Sequence, residues 1–148
     1  MLAIVTVGIP ACGKSTFARG LVADGWFDLN RDALRATVGG GFGVPRAEAA
    51  VTRLWRNALR DAASAGKDII LSDTHVSRRS RKEVCRTLRR QGYERITALV
   101  FDVPLDTCLQ RNRARAVPVP DEVLYRMADT LRRQPVWLTD GFTAIDVP

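Results

Sequence analysis

The sequence predicts an α/β fold: a mostly parallel sheet of four to five strands with helices on both faces. Three observations carry that prediction. The apolar run Leu2-Ala3-Ile4-Val5-Thr6-Val7 passes into Gly8-Ile9-Pro10-Ala11-Cys12-Gly13-Lys14-Ser15, and helical pattern follows over 16–22. Two further apolar runs, 68–72 and 95–103, are each followed by an amphipathic stretch. Strands that alternate with helices need crossover connections, which make neighbouring strands parallel and bury both faces of the sheet.

The first strand is 2–7, an unbroken apolar run of the kind a central parallel strand requires. Its helix starts at the glycine loop. Residues 26–29 form a short strand, and Asn30 caps a helix over 31–38. Residues 39–43, rich in glycine, read as a connector. Pro45 opens a helix at its first turn, running to about Ala65, with Ala47, Ala50, Val51, Leu54, Ala58 and Ala62 on its apolar face. After the strand at 68–72 comes a basic helix from about Arg78 to Gln91. The strand at 95–103 leads to a helix from Pro104 to about Ala114. A proline-punctuated link, 117–120, precedes an amphipathic helix over 121–133, and 142–147 is a weaker last strand.

A chain of 148 residues suits one domain, taken as 1–148. No apolar stretch reaches the length of a membrane span, and the first apolar run lacks the basic flank of a signal peptide. The three cysteines, Cys12, Cys85 and Cys108, are odd in number and show no C-x-x-C spacing, which argues against a disulfide framework or a zinc site. A reducing, cytoplasmic setting is expected. Cys12 reads either as a reactive thiol or as a small residue that the loop tolerates. Lysine and arginine total 23 against 16 acidic residues, a net charge of +7. That balance favours a polyanionic partner, either nucleic acid or a nucleotide, unless the excess is only solvated surface.

Residues 8–15 match G-x-x-x-x-G-K-[ST], the P-loop, in the strand–loop–helix context the motif requires. Such a loop turns backbone N–H groups toward phosphate at a helix N-terminus, where the helix dipole also favours negative charge. Lys14 reaches the outer phosphates, and Ser15 ligates Mg²⁺. Three further elements accompany it. Asp32 and Arg35 share a helix face: they read as a carboxylate that orients a hydroxyl with a guanidinium that grips phosphate, or as a surface pair. Asp73, with Thr74 after it, follows an apolar strand, where open parallel sheets bind ligands; it is a metal-supporting carboxylate or a turn residue. Arg111 and Arg115, four apart, are a mobile pair over a triphosphate or ordinary helix-end cations. His75 is a substrate contact or a loop residue. Trp55 and Trp137 stack on bases or pack in the core. Arg78, Lys82, Arg86 and Arg89 line one side of their helix as a candidate phosphate-binding stripe or a solvated face.

Together these elements resemble the kinase domain of phage-type polynucleotide 5′-hydroxyl kinases, within the P-loop kinase superfamily. The resemblance covers nearly the whole chain. It rests on the loop with Thr16, Asn30-Arg31-Asp32 with Arg35, Ser72-Asp73-Thr74, Phe101-Asp102-Val103-Pro104, and Arg111-Asn112 through Arg115. It implies ATP as donor with Mg²⁺, and single-stranded or end-exposed nucleic acid, DNA or RNA, as acceptor. Gly8, Ala11, Cys12, Gly13, Lys14, Ser15 and Thr16 bind ATP, with Arg111 and Arg115 in a helical lid over about 111–120. Lys14, Asp32, Arg35 and Arg115 are catalytic, Asp32 being the general base. Asp32, Arg35, Asp73 and Thr74 bind the acceptor, and Asp73 supports Ser15 and the metal, through water. Two departures stand out: no D-x-D-x-T phosphatase motif is present, so phosphatase activity is not expected, and Ala33 replaces the family's usual second aspartate. A kinase of hydroxymethylated bases in phage DNA, a small-molecule kinase and an ATP-binding nucleic-acid module remain alternatives. Oligomeric state stays open.

Overall fold

Among the described residues, five strands join one parallel sheet. The computed structural model describes residues 1–39 and 45–148, apart from the side chains of 45 and 46. Its strands are β1 (Leu2–Val7), β2 (Phe27–Asp28), β3 (Ile69–Leu71), β4 (Arg95–Val100) and β5 (Ala144–Asp146), in the order β2-β3-β1-β4-β5. β1 is central, with Val5 opposite Leu71 of β3 and Val7 opposite Val100 of β4. The helices are α1 (Lys14–Ala23), α2 (Arg31–Val38), α3 (Pro45–Ser64), α4 (Arg78–Arg90), α5 (Leu105–Arg113) and α6 (Asp121–Arg133).

Alternation along the strands sorts the helices between the two faces. Ala3, Val5, Ile69, Leu71, Ile96 and Ala98 pack on one face against Trp55, Leu59 and Ala62 of α3 and Val84, Cys85 and Leu88 of α4. Ile4 and Leu99 pack on the other face with Phe17 of α1, Cys108 and Leu109 of α5, and Leu124 of α6. The helices on both faces follow from this two-residue period.

Several boundaries differ from the sequence reading. β4 stops at Val100, not 103: after Phe101 N donates to Val7 O (2.8 Å), β1 has turned into the glycine loop and offers no further partner. The buried stripe of α3 is Val51, Trp55, Leu59 and Ala62, so the large side chains set the phase rather than the alanines. The expected 39–43 connector lies mostly outside the described residues; Gly39 closes α2 in a left-handed turn.

α4 carries an unexpected residue on its inner face. Arg81 is fully buried in phase with Val84, Cys85 and Leu88. Its Nε donates to Asp140 Oδ2 (2.7 Å), and its terminal nitrogens donate to the carbonyls of Val76 (2.7 Å), Gln134 (2.7 Å) and Pro135 (3.1 Å). One guanidinium thus joins the turn after β3 to the segment that leads into β5. Asp140 is equally buried. A buried ion pair contributes little net stability while both partners stay, but removal of one strands the other charge. We expect Asp140→Ala to cost about 3–5 kcal/mol, read as a lowered denaturant midpoint at unchanged m-value.

Candidate active site

The loop after β1 has the geometry of an anion cradle. Ala11 (φ 64°) and Gly13 (φ 106°) both adopt left-handed backbone, which turns successive N–H groups inward. Gly13 is the N-cap of α1; it provides no side-chain cap, and the first turn of α1 holds no acidic residue. The free amides there face an outside anion instead. Gly8 cannot carry a side chain: a Cβ would stand 2.7 Å from Cys12 Sγ and 3.1 Å from Phe101 Cβ. Cys12 is therefore packed beneath the loop, 3% exposed, in keeping with its reading as a small tolerated residue.

Lys14 is 7% exposed, and its Nζ donates to Gly8 O (3.0 Å), Ile9 O (2.6 Å) and Cys12 Sγ (3.3 Å). Burial lowers its pKa, the Cys12 sulfur opposes that, and the nearby Arg115 charge lowers it further. The ammonium is thus held against the loop in a site that gains from a negative ligand. Ser15 and Thr16 are exposed, and Thr16 Oγ1 accepts from Arg19 (3.1 Å).

The loop is fastened to the end of β3. Gly8 N donates to Thr74 O (3.0 Å), and Thr6 Oγ1 lies 2.7 Å from Asp73 O. Asp73 Oδ1 accepts from Arg31 N (3.0 Å), so this carboxylate sits against the N-terminus of α2. Burial raises the Asp73 pKa; His75 and Arg31 oppose that shift, while the Asp32 charge adds to it. The two aspartates are therefore electrostatic neighbours. Asn30 fixes the arrangement: its side-chain oxygen accepts from Ala33 N (3.0 Å), and its Nδ2 donates to Ser72 Oγ (2.9 Å). Asp32 itself is 82% exposed and pairs with Arg35. Arg35 also grips Glu48 of α3 (2.7 and 3.3 Å). Asp32, Arg35, Asp73 and Thr74 accordingly collect at one end of β3.

His75 follows with left-handed backbone (φ 42°), and its Nδ1 lies 2.9 Å from Thr6 O. Burial lowers its pKa, with Asp73 opposing. Asp73, Thr74 and His75 form one end of an open cleft of about 520 Å³ that extends between α3 and α4. Ile9 lines a second cleft of about 490 Å³, mostly apolar, with Phe101, Val103, Val136 and Ile145.

The lid differs from expectation. α5 ends at Arg113, so Arg111 is helical and Arg115 is not; both are exposed, and they do not share a helix face. Residues 114–120 are turn and extended chain rather than helix. Proline at 118 and 120 prevents continued helical bonding. A single buried side chain gathers this segment: Asn112 donates to Val119 O (2.6 Å) and accepts from Val119 N (3.0 Å). Arg113 bridges to Asp121 (2.7 Å).

Glu48 and Arg81 were not singled out by sequence reasoning, and Asn112 entered only as part of the 111–115 motif, with no role of its own. A polar residue in phase with a buried helix face was the available signal for Arg81 and Asn112. Glu48 looked like an ordinary acid near a helix start. The candidate stripe on α4 is partly committed to the fold: Arg78 pairs with Asp140 (3.1 Å), and Arg89 donates to Gly141 O (2.7 Å). Trp55 is in the core at 9% exposure, whereas Trp137 is 56% exposed.

Comparisons with known proteins place the family and the fold. The sequence model of the AAA domain matches residues 4–134. An Autographa californica nuclear polyhedrosis virus protein described as a bifunctional polynucleotide kinase/RNA ligase is 28% identical over 131 residues, 79% of this chain but 18% of its own length. A chain in the structure of the Pnkp1/Rnl/Hen1 RNA repair complex superposes with a TM-score of 0.80 at 26% identity, over 89% of this chain and 44% of that one. The chain therefore spans less than half the length of each of these relatives. A sugar kinase from Janibacter shares the fold, with a TM-score of 0.63 at 24% identity over 99% of this chain and 85% of that one.

Loss of the Asn112 clasp leaves the half-buried Val119 amide and carbonyl unpaired, at about 1 kcal/mol. We expect Asn112→Ala to speed tryptic cleavage at Arg113 and Arg115 severalfold; cleavage at the wild-type rate would show that the clasp does not hold the segment.

Proposed function

The chain belongs to the AAA domain family, and from that premise we propose that it transfers the γ-phosphoryl group of ATP to the 5′-hydroxyl end of DNA or RNA. The observation that carries this reading is the joining of two chemistries by one hydrogen bond. Gly8 N to Thr74 O ties the phosphate cradle to the end of β3, where Asp73 accepts from Arg31 N and feels the charge of Asp32. The two relatives described as polynucleotide kinase and as part of an RNA repair complex support the nucleic-acid acceptor, as does the net charge of +7. We read residues 1–148 as one kinase domain whose lid is 111–120, working in a reducing, cytoplasmic compartment where the three free cysteines stay thiols.

Phosphoryl transfer asks for alignment and for neutralisation of spreading charge. The α1 amides, Lys14, Arg111 and Arg115 supply the neutralisation, with Arg115 near enough to Lys14 to lower its pKa. The apolar cleft beside Ile9 suits a nucleoside base. Asp32 aligns the acceptor by taking the hydrogen bond of the attacking hydroxyl. Its present partner, Arg35, is also held by Glu48, so an acceptor phosphate can replace Asp32 at that guanidinium and leave Asp32 to the hydroxyl. The proton leaves late in a loose transition state, so orientation counts for more than basicity.

The residues also suit Mg²⁺. Among the described residues no cluster of three or more His, Cys, Asp or Glu could hold a metal alone. Mg²⁺ in kinase sites is instead held by one or two protein oxygens, water and substrate phosphates. Ser15 and, through water, Asp73 would be those oxygens here, and an ion held there would supply charge neutralisation at the phosphates. Among the described residues no helix is long and apolar enough to cross a membrane.

Label from γ-labelled ATP should appear on the 5′ end of a hydroxyl-terminated oligonucleotide. Label on an internal base, on a small alcohol or only in inorganic phosphate supports another reading. Asp32→Ala should lower turnover by about 10² or more while ATP still binds, and normal turnover removes Asp32 from the mechanism. Lys14→Ala should bring transfer below detection; an active variant contradicts the cradle's role.

A further inference from the structure

We infer that Arg81 is a positioning residue: through main-chain carbonyls it holds His75 in left-handed backbone, and with it the Thr74 carbonyl to which the phosphate loop is fastened. Its effect on turnover rests on the reading of the chain as a polynucleotide kinase.

The bonding pattern of Arg81 is that of a clamp rather than a counter-ion. A guanidinium has five N–H donors, and five bonds use them here. Nε donates to Asp140 Oδ2 (2.7 Å). One terminal nitrogen donates to His75 O (3.3 Å) and Val76 O (2.7 Å), and the other to Gln134 O (2.7 Å) and Pro135 O (3.1 Å). A carboxylate can take two parallel N–H groups from one arginine; Asp140 takes one. The remaining bonds go to backbone, in pairs, from a side chain that is fully buried.

One pair of those carbonyls lies at a strained point. His75 has φ 42° without being glycine. A residue keeps such a conformation only where its surroundings over-determine it. On one side of His75, Asp73 O accepts from Thr6 Oγ1 (2.7 Å) and Thr74 O accepts from Gly8 N (3.0 Å), which ties the turn to β1 and the loop. On the other side, His75 O and Val76 O are held by Arg81. Rotation about the N–Cα bond of His75 moves the first two carbonyls relative to the second two. The left-handed angle lets both sets of bonds exist together. Without the guanidinium, relaxation of His75 draws Thr74 O away from Gly8 N, and the start of the cradle shifts relative to Asp73.

The other pair of carbonyls anchors the clamp. Gln134 follows α6 directly, and its Oε1 accepts from Arg78 N (2.8 Å). α4 packs on one face of the sheet and α6 on the other. Arg81 therefore grips the end of a helix from the opposite layer and uses it as a fixed point for the turn after β3.

The test uses the full chain and Arg81→Lys, which keeps a cation for Asp140 and loses the fork. At a temperature where the variant is folded by near-ultraviolet circular dichroism, kcat for transfer to a 5′-hydroxyl oligonucleotide should fall about tenfold, because small displacements of reacting groups act on rate. KM for ATP and for the oligonucleotide should stay within about threefold of wild type, as for a loss felt in the transition state. Hydrogen exchange read by NMR should show the Gly8 amide about tenfold less protected, the scale of one hydrogen bond, with the amides of Ile4 and Val5 unchanged. A wild-type kcat with a wild-type Gly8 amide overturns the assignment. So does protection lost evenly along β1, which gives Arg81 to the fold alone. Where Arg81→Lys does not fold, Arg81→Met with Asp140→Asn removes both charges of the pair; the same loss at Gly8 is expected, and an intact Gly8 amide overturns the clamp. If the wild-type chain transfers no label, the kinase reading fails, and a loss of protection confined to Gly8 still upholds the clamp.

Discussion

Two main-chain hydrogen bonds at the carboxyl edge of the sheet govern everything around them. Phe101 N to Val7 O (2.8 Å) and Gly8 N to Thr74 O (3.0 Å) hold the end of β1 between its two neighbours. The loop that follows is thereby launched from a fixed origin, with strand ends on either side. Its left-handed residues, Ala11 and Gly13, can then direct several amides at one point without help from any side chain. The same bonds join the β3 end, with its carboxylates, to the cradle. A parallel sheet makes this arrangement natural, because all its strand ends and helix starts open on one edge.

The charges at that edge are arranged by backbone as much as by side chain. Arg31 N–H satisfies Asp73, Asn30 caps α2 and reaches Ser72, and Glu48 draws Arg35 back toward α3. Each charged group has a partner that fixes its direction, and the reading of mechanism depends on those directions. On the other side of β1, Lys14 lies against loop carbonyls under the field of Arg115. Positive charge therefore gathers at the cradle, whereas at the β3 end Asp73 and Asp32 sit among Arg31, Arg35 and His75.

Much of this was legible in the sequence where local chemistry is decisive. The strand, loop and first helix follow from residues 2–23 alone, because the glycines, the lysine and the apolar run each have one structural use there. The capping of α2 by Asn30 and the span of α6 were equally local. Other features depend on partners distant in the chain. The end of β4 was set by where β1 stops, and the phase of α3 by what Trp55 and Leu59 meet across the sheet. Arg81 finds Asp140 59 positions away, and the pull of Glu48 on Arg35 spans a connector that no periodicity describes. Arg115 was expected on a helix because four-residue spacing suggests one; the prolines downstream ended that helix sooner. The roles of the site residues are further removed, since position alone does not assign a proton or a phosphate.

The sheet's outer strands have a consequence for how the molecule behaves in company. β2 contributes two residues and β5 three, and both terminate in aspartate, Asp28 and Asp146. An edge so brief and so charged offers a stray strand little backbone to zip onto. The long apolar strands that would template aggregation are kept in the interior of the order, so crowding alone gives this sheet no easy way to grow.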